Sequence, residues 1–263
     1  LKKNLLLCSF LAASFGLGAD PAPSVGALFQ YSTIDALSQG VFDGEASVAQ
    51  LKAKGSFGLG TFNRLDGELV MLDGVAYQVP SSGKIKVAED GQQVPFAAVV
   101  SATAERWQAL QEAQDMASLQ KALDTLAPSK NALYAFRVEG RFARVDTRSV
   151  PAQSQPYPSF GQAIKAQALF SQEGVQGTLV GLRGPDWIRG VNLPGYHFHF
   201  ISADRSFGGH VLGCHLSQGK VSVVRLDDFH LQVPATPAFG RVELPITTVQ
   251  NQALHKAEST EKK

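Results

Sequence analysis

Four of the six histidines in this chain fall between positions 197 and 215, and their spacing is the first sign of chemistry. In Tyr196-His197-Phe198-His199-Phe200 an extended backbone sends His197 and His199 to one face and the aromatic rings to the other. Residues 204–209, Asp-Arg-Ser-Phe-Gly-Gly, supply a turn, and His210 opens the next strand. With a loop over 203–208, Ile201 pairs with His210 and His199 with Leu212. His210 then joins the face of His197 and His199, diagonal to the latter. A loop one residue longer or shorter would turn it to the opposite face. Three converging imidazoles suit zinc, or another imidazole-favouring divalent ion, and leave positions for water or substrate. His215 falls on the other face in this register. His230 and His255 are isolated, and all three read as surface or packing residues.

A three-histidine centre needs partners that hold its ligands and move protons. Glu68, in the apolar-flanked LDGELV, is a carboxylate at the start of a strand that could face a pocket. Arg148, in VDTRSV, follows a strand just before a proline-rich stretch, between the two halves of the chain. Taken one at a time, each also reads as an ordinary surface charge.

The elements that must position these residues come from a chain of 263 residues, 44% hydrophobic, with 24 basic against 23 acidic side chains. A net charge of +1 removes any broad electrostatic case for nucleic acid or an anionic membrane surface. The length supports one large domain or two small ones with a real core. At the start, Lys2 and Lys3 precede an uncharged run over 4–19 that ends in small residues. That is the layout of a secretory signal, so the protein is expected to be exported (periplasmic or secreted), cut near Ala19. Cutting there removes Cys8 and leaves Cys214 alone, a small buried side chain in VLGC. The mature chain then forms no internal disulfide, and a metal or association into a homodimer could add to what its core supplies.

Downstream, strands dominate and helices are few. ALFQYST reads as a strand, IDALSQG as a helix ending at Gly40, and SVAQLKAKG as a helix ending at Gly55. GELVMLDGVAYQV reads as a hairpin turning at Asp73-Gly74. FAAVVSA is a strand, and 104–126 has apolar residues at helical spacing (Trp107, Leu110, Leu119, Leu123, Leu126). ALYAFRVEGRFARVDTRSV reads as a second hairpin, turning near Glu139-Gly140, and PAQSQPYPS as a linker. A short helix over 160–169 and the strands GTLVGLR, YHFHFIS, HVLGCHL and KVSVVRLD follow, then a tail of helical pattern. The expected fold is α+β with mixed or antiparallel sheets and the metal site on a hairpin of the C-terminal half. The expected divisions are a leader over 1–19, an N-terminal domain over 24–150 and a β-rich metal-binding domain with its tail over 151–263.

Taken together, FGLGTFNRLDGELV (57–70), LYAFRVEGRFARVDTRSV (133–150), GYHFHFISADRSFGGHVL (195–212) and the acidic end EST-E resemble the alpha-acetolactate decarboxylase family over nearly the whole mature chain. The resemblance implies a two-domain α/β fold, zinc, and conversion of 2-acetolactate to acetoin and carbon dioxide. By position, His197, His199 and His210 match the metal ligands, Glu68 the glutamate of LDGE, Thr61 the threonine of GTF, and Arg148 the arginine of TRS. The family's C-terminal glutamate falls at Glu261, with Glu258 as the alternative alignment. In that chemistry the metal stabilises the enediolate left by carbon dioxide as a Lewis acid, and a glutamate returns a proton.

Two other classes fit the histidines. A carbonic-anhydrase-like hydratase also uses His-x-His on one strand and a third histidine on a neighbour, but has no required place for LDGE and TRS. A non-catalytic exported metal-binding protein is expected to close its site with a fourth ligand.

Overall fold

The computed structural model describes residues 24–102 and 106–244. The leader expected over 1–19, the helical tail with His255, and both tail glutamates, Glu258 and Glu261, lie outside the described residues. The strands are β1 (Ser24–Tyr31), β2 (Ala46–Ser47), β3 (Phe57–Thr61), β4 (Glu68–Leu72), β5 (Val75–Val79), β6 (Lys86–Val87), β7 (Gln93–Val94), β8 (Phe96–Ala102), β9 (Trp107–Leu110), β10 (Leu133–Ser149), β11 (Ala168–Gly184), β12 (Gly195–Ser202) and β13 (Gly208–Gln232). The helices are short: α1 (Ile34–Ser38), α2 (Val48–Lys52), α3 (Met116–Leu126), α4 (Phe160–Ala163) and α5 (Pro237–Arg241).

One sheet runs β10-β11-β12-β13-β1-β8-β3-β4-β5-β6, with β9 added to β13. Of the named strand pairs, β1–β13 alone is parallel. β10 bonds to both β11 and β13, and so does β12, so these four strands close into a ring. The expected α+β class, mixed and largely antiparallel, is the one the chain adopts. The sheet takes strands from both sides of residue 150 without interruption.

Local chemistry accounts for several boundaries. Asp73 and Gly74 both have positive φ (52° and 76°), the backbone of a two-residue hairpin turn, and they join β4 to β5 as the sequence implies. Gly40, just past α1, also has positive φ. Asp115 caps the start of α3, its carboxylate accepting from the Ser118 N–H at 2.8 Å. Its Leu119 and Leu123 are fully buried against β10–β13, each stabilising by about 1.5–3 kcal/mol.

Four readings need correction. Residues 133–149 form one strand, not a hairpin turning at Gly140. Likewise 208–232 is one strand that runs through Gly219. Gly140 lies opposite Gly177 on one side and Gly219 on the other, so three glycines cross the sheet in a row. A Cβ at Gly140 would meet the Gln218 carbonyl oxygen at 2.4 Å. These glycines therefore permit close backbone approach and do not mark turns. The 104–126 pattern divides into β9, paired with β13 from Trp107 to Leu110, and α3. The helix expected over 160–169 stops early: α4 ends at Ala163, a single 3-10 turn covers Ile164–Ala166, and β11 begins at Ala168.

A candidate metal centre beside a buried glutamate–arginine pair

His197 and His199 alternate with buried aromatics on β12, and His210 is the third residue of β13. The hairpin register differs from the expected one by two residues. His199 pairs directly with His210 and Ile201 with Gly208, because the Ser202 N–H already donates to Phe207 O at 2.8 Å and shortens the loop. A shift of two preserves side-chain parity, so all three histidines still share one face.

The three rings are buried, with centroids 5.0–5.4 Å apart. One nitrogen from each lies within 4.8 Å of the others, and His197 Nε2 is 3.2 Å from His210 Nδ1. The His199 Nδ1–H donates to the Leu69 carbonyl at 2.8 Å, which fixes the tautomer and directs the Nε2 lone pair to the centre. Burial, reinforced by the Arg148 charge, pushes His197 down to about 3. It is therefore a neutral ring at ordinary pH, the form that binds a cation. The donor set, three imidazoles with a carboxylate close by and no thiolate, fits a divalent ion of intermediate softness.

Glu68 reaches this face from β4. Its Oε1 lies 3.4 Å from Arg148 Nη1 and its Oε2 3.5 Å from His199 Nε2. Arg148, 2% exposed, stands on β10 directly opposite His210. The end of β10 is tied to its surroundings: Thr147 donates its hydroxyl to Gly208 O at 2.9 Å and Ser149 to Val79 O at 2.7 Å. Thr61 also lines the cavity, and its hydroxyl donates to Gly67 O at 2.7 Å, closing the turn before Glu68. The structure thus brings together six of the predicted residues: His197, His199, His210, Glu68, Arg148 and Thr61.

Sequence reasoning missed the other wall. Ile34 and Leu37 of α1, Leu65, Phe96, Val150 and Phe160 of α4 form an apolar cluster facing the charged groups. The Phe160 ring centroid is 6.0 Å from the Arg148 guanidinium. Nothing in one sequence distinguishes these side chains from ordinary core. The cavity is small, ≈ 30 Å³. A groove of ≈ 630 Å³ beside Asp146, Cys214 and His215 is larger but holds none of the predicted site residues, so chemistry and not volume selects the site. His215 is half-buried and pairs with Glu112, His230 stacks on Phe29, and Cys214 is buried with its thiol pushed up to about 12. None of these three lines the cavity that holds Glu68 and Arg148.

A carboxylate and a guanidinium buried against three buried imidazoles, across from an apolar wall, define an enzyme site for a small molecule. A family profile described as alpha-acetolactate decarboxylase matches residues 28–245, and the chain belongs to that family. It is 42% identical over 217 residues to the alpha-acetolactate decarboxylase of Methanosarcina mazei, covering 82% of this chain and 75% of that one. Against the enzyme of Brevibacillus brevis it is 37% identical over 246 residues, covering 94% and 85%. The crystal structure of alpha-acetolactate decarboxylase from Bacillus subtilis strain 168 superposes with a TM-score of 0.85 at 32% identity, over 89% of this chain and 99% of that one.

Proposed function

We propose that this chain is an exported carboxy-lyase that converts 2-acetolactate to acetoin and carbon dioxide, with zinc held by His197, His199 and His210. The observation that supports it best is the buried Glu68–Arg148 pair placed against the three imidazoles. A divalent ion bound there supplies Lewis-acid stabilisation of negative charge developing on oxygen.

The chain's own residues account for the rest. Arg148 offers a planar fork of donors to the substrate carboxylate, or to the oxyanion that remains. The bond between that carboxylate and C2 breaks, its electron pair passes into the adjacent ketone to give an enediolate, and carbon dioxide leaves. A carboxyl group then returns a proton to carbon, on the face from which it approaches, which fixes the handedness of acetoin. Glu68 is buried enough for that work. Glu261, or Glu258 in the alternative alignment, is the second carboxyl in this reading. Thr61 holds the turn that aims Glu68.

The test is acetoin formation by the purified, zinc-loaded mature chain, compared with Glu68→Gln and Arg148→Lys. Glu68→Gln keeps the shape and removes the proton, so bound zinc should stay while turnover falls about 10²-fold or more. Arg148→Lys keeps the charge and loses the fork, and should cost about 2–4 kcal/mol of transition-state stabilisation. Full activity in Glu68→Gln would sink the chemistry, and equal loss of melting temperature would make both residues structural.

A further inference from the structure

Residues 62–67 lead from β3 into β4 and the site. Within them Arg64 and Leu65 both have left-handed backbone, with φ of 67° and 55°. Glycine adopts that region freely, but a residue with a side chain does so at a cost, and two in succession are unusual. Such strain persists only where the surroundings over-determine it. Here they do. The Arg64 N–H donates to Phe42 O at 2.6 Å, and Arg64 O accepts from the Gln153 N–H at 2.7 Å. Arg64 Nε donates to Gln153 O at 3.0 Å, and the Gly67 N–H donates to Val150 O at 3.1 Å.

What this clamped turn delivers is one side chain. Leu65, 1% exposed, lines the cavity three positions before Glu68, whereas the Arg64 side chain is exposed and lies outside the cavity lining. The rest of the apolar wall comes from helices α1 and α4, from Phe96 at the start of β8 and from Val150 just past β10. If the polar side of the cavity holds the carboxylate and oxygens of a 2-hydroxy-3-keto acid, its two alkyl groups, the one at C2 and the one on the ketone carbon, are left for the apolar side.

We infer that Leu65 is the specificity-determining residue that limits the alkyl group at C2, and that Arg64 is the positioning residue that holds Leu65 in place. This rests on the acetolactate reading, and its test is chosen to separate the two. The probes are 2,3-dihydroxy-2-methylbutanoate and its 2-ethyl homologue. Their ketone is reduced to an alcohol, so neither can lose carbon dioxide by this route. Calorimetry on the full zinc-loaded chain gives the ratio of their Kd values. Leu65→Ala should shift that ratio toward the ethyl compound by about tenfold or more, the discrimination one methylene carries in an apolar pocket. Leu65→Met, which conserves volume, should keep the wild-type ratio. Arg64→Ala should shift it the same way by about fivefold, the worth of one solvent-exposed hydrogen bond, with a melting temperature near wild type. Because Arg64 is exposed, that variant decides the matter if Leu65→Ala does not fold. An unchanged ratio in Arg64→Ala together with an unchanged ratio or no fold in Leu65→Ala overturns the inference. Wild-type chain that makes no acetoin overturns the proposed function instead, whatever the Kd ratios show.

Discussion

His197 shows what the site demands of a single residue. In an unfolded chain its ring titrates near 6.5, and in the folded protein burial and the Arg148 charge bring it down to about 3. Between those values the unfolded state holds a proton that the native state lacks, so stability rises with pH across that window. The contribution is complete above pH 6.5 and is lost as pH falls toward 3, a swing of up to about 5 kcal/mol. The metal-free chain should therefore melt at falling temperatures between pH 6.5 and 4, and His197→Asn should flatten that slope. Thermal melts of both proteins check it, and equal slopes would refute it. At this scale the sequence was most legible. Histidines two apart on a strand share a face whatever the fold, and a register error of two residues leaves a third on that face. Leu65 was not legible, because nothing in a leucine's identity announces a left-handed backbone.

At the scale of elements, the glycine row across β11, β10 and β13 decides whether three long strands can exist. Gly140 has no space for a Cβ against the Gln218 carbonyl, whereas Gly91 has nothing within 4 Å. Gly140→Ala should lose about 1–3 kcal/mol in urea melts, and Gly91→Ala should stay within about 0.5 kcal/mol. Similar losses at both sites would mean that backbone freedom, and not proximity, matters at Gly140. The same residue explains the misread hairpin. A glycine amid alternating apolar residues gives one signal for a turn and for a close approach, and only the partner strands distinguish them. Asp73-Gly74 escaped that ambiguity because its two-residue chemistry belongs to a turn. Trp107 and Leu110 misled in another way, since a strand and a helix laid end to end can imitate one helical period.

For the whole molecule, the expected leader gives a direct test. Protein recovered from its native host should have an intact mass that starts near Asp20, and retention of residues 1–19 would refute export by this signal. The apolar start and the site motifs could be read without a structure, since both depend on local pattern. How the sheet joins residue 24 to residue 232 could not, because strand order depends on pairing between distant segments.

That junction has a consequence for how the chain is made. β1 lies between β13 and β8, and β13 is the last strand among the described residues. As the chain leaves the ribosome from its amino end, β1 can find β8 early, but its other ladder waits until residues 224–232 have emerged. The half-made protein therefore keeps its first strand on an open edge. Only when β13 arrives does β1 become an interior strand, so the emergence of residues 224–232 sets the earliest time at which the first strand is locked away.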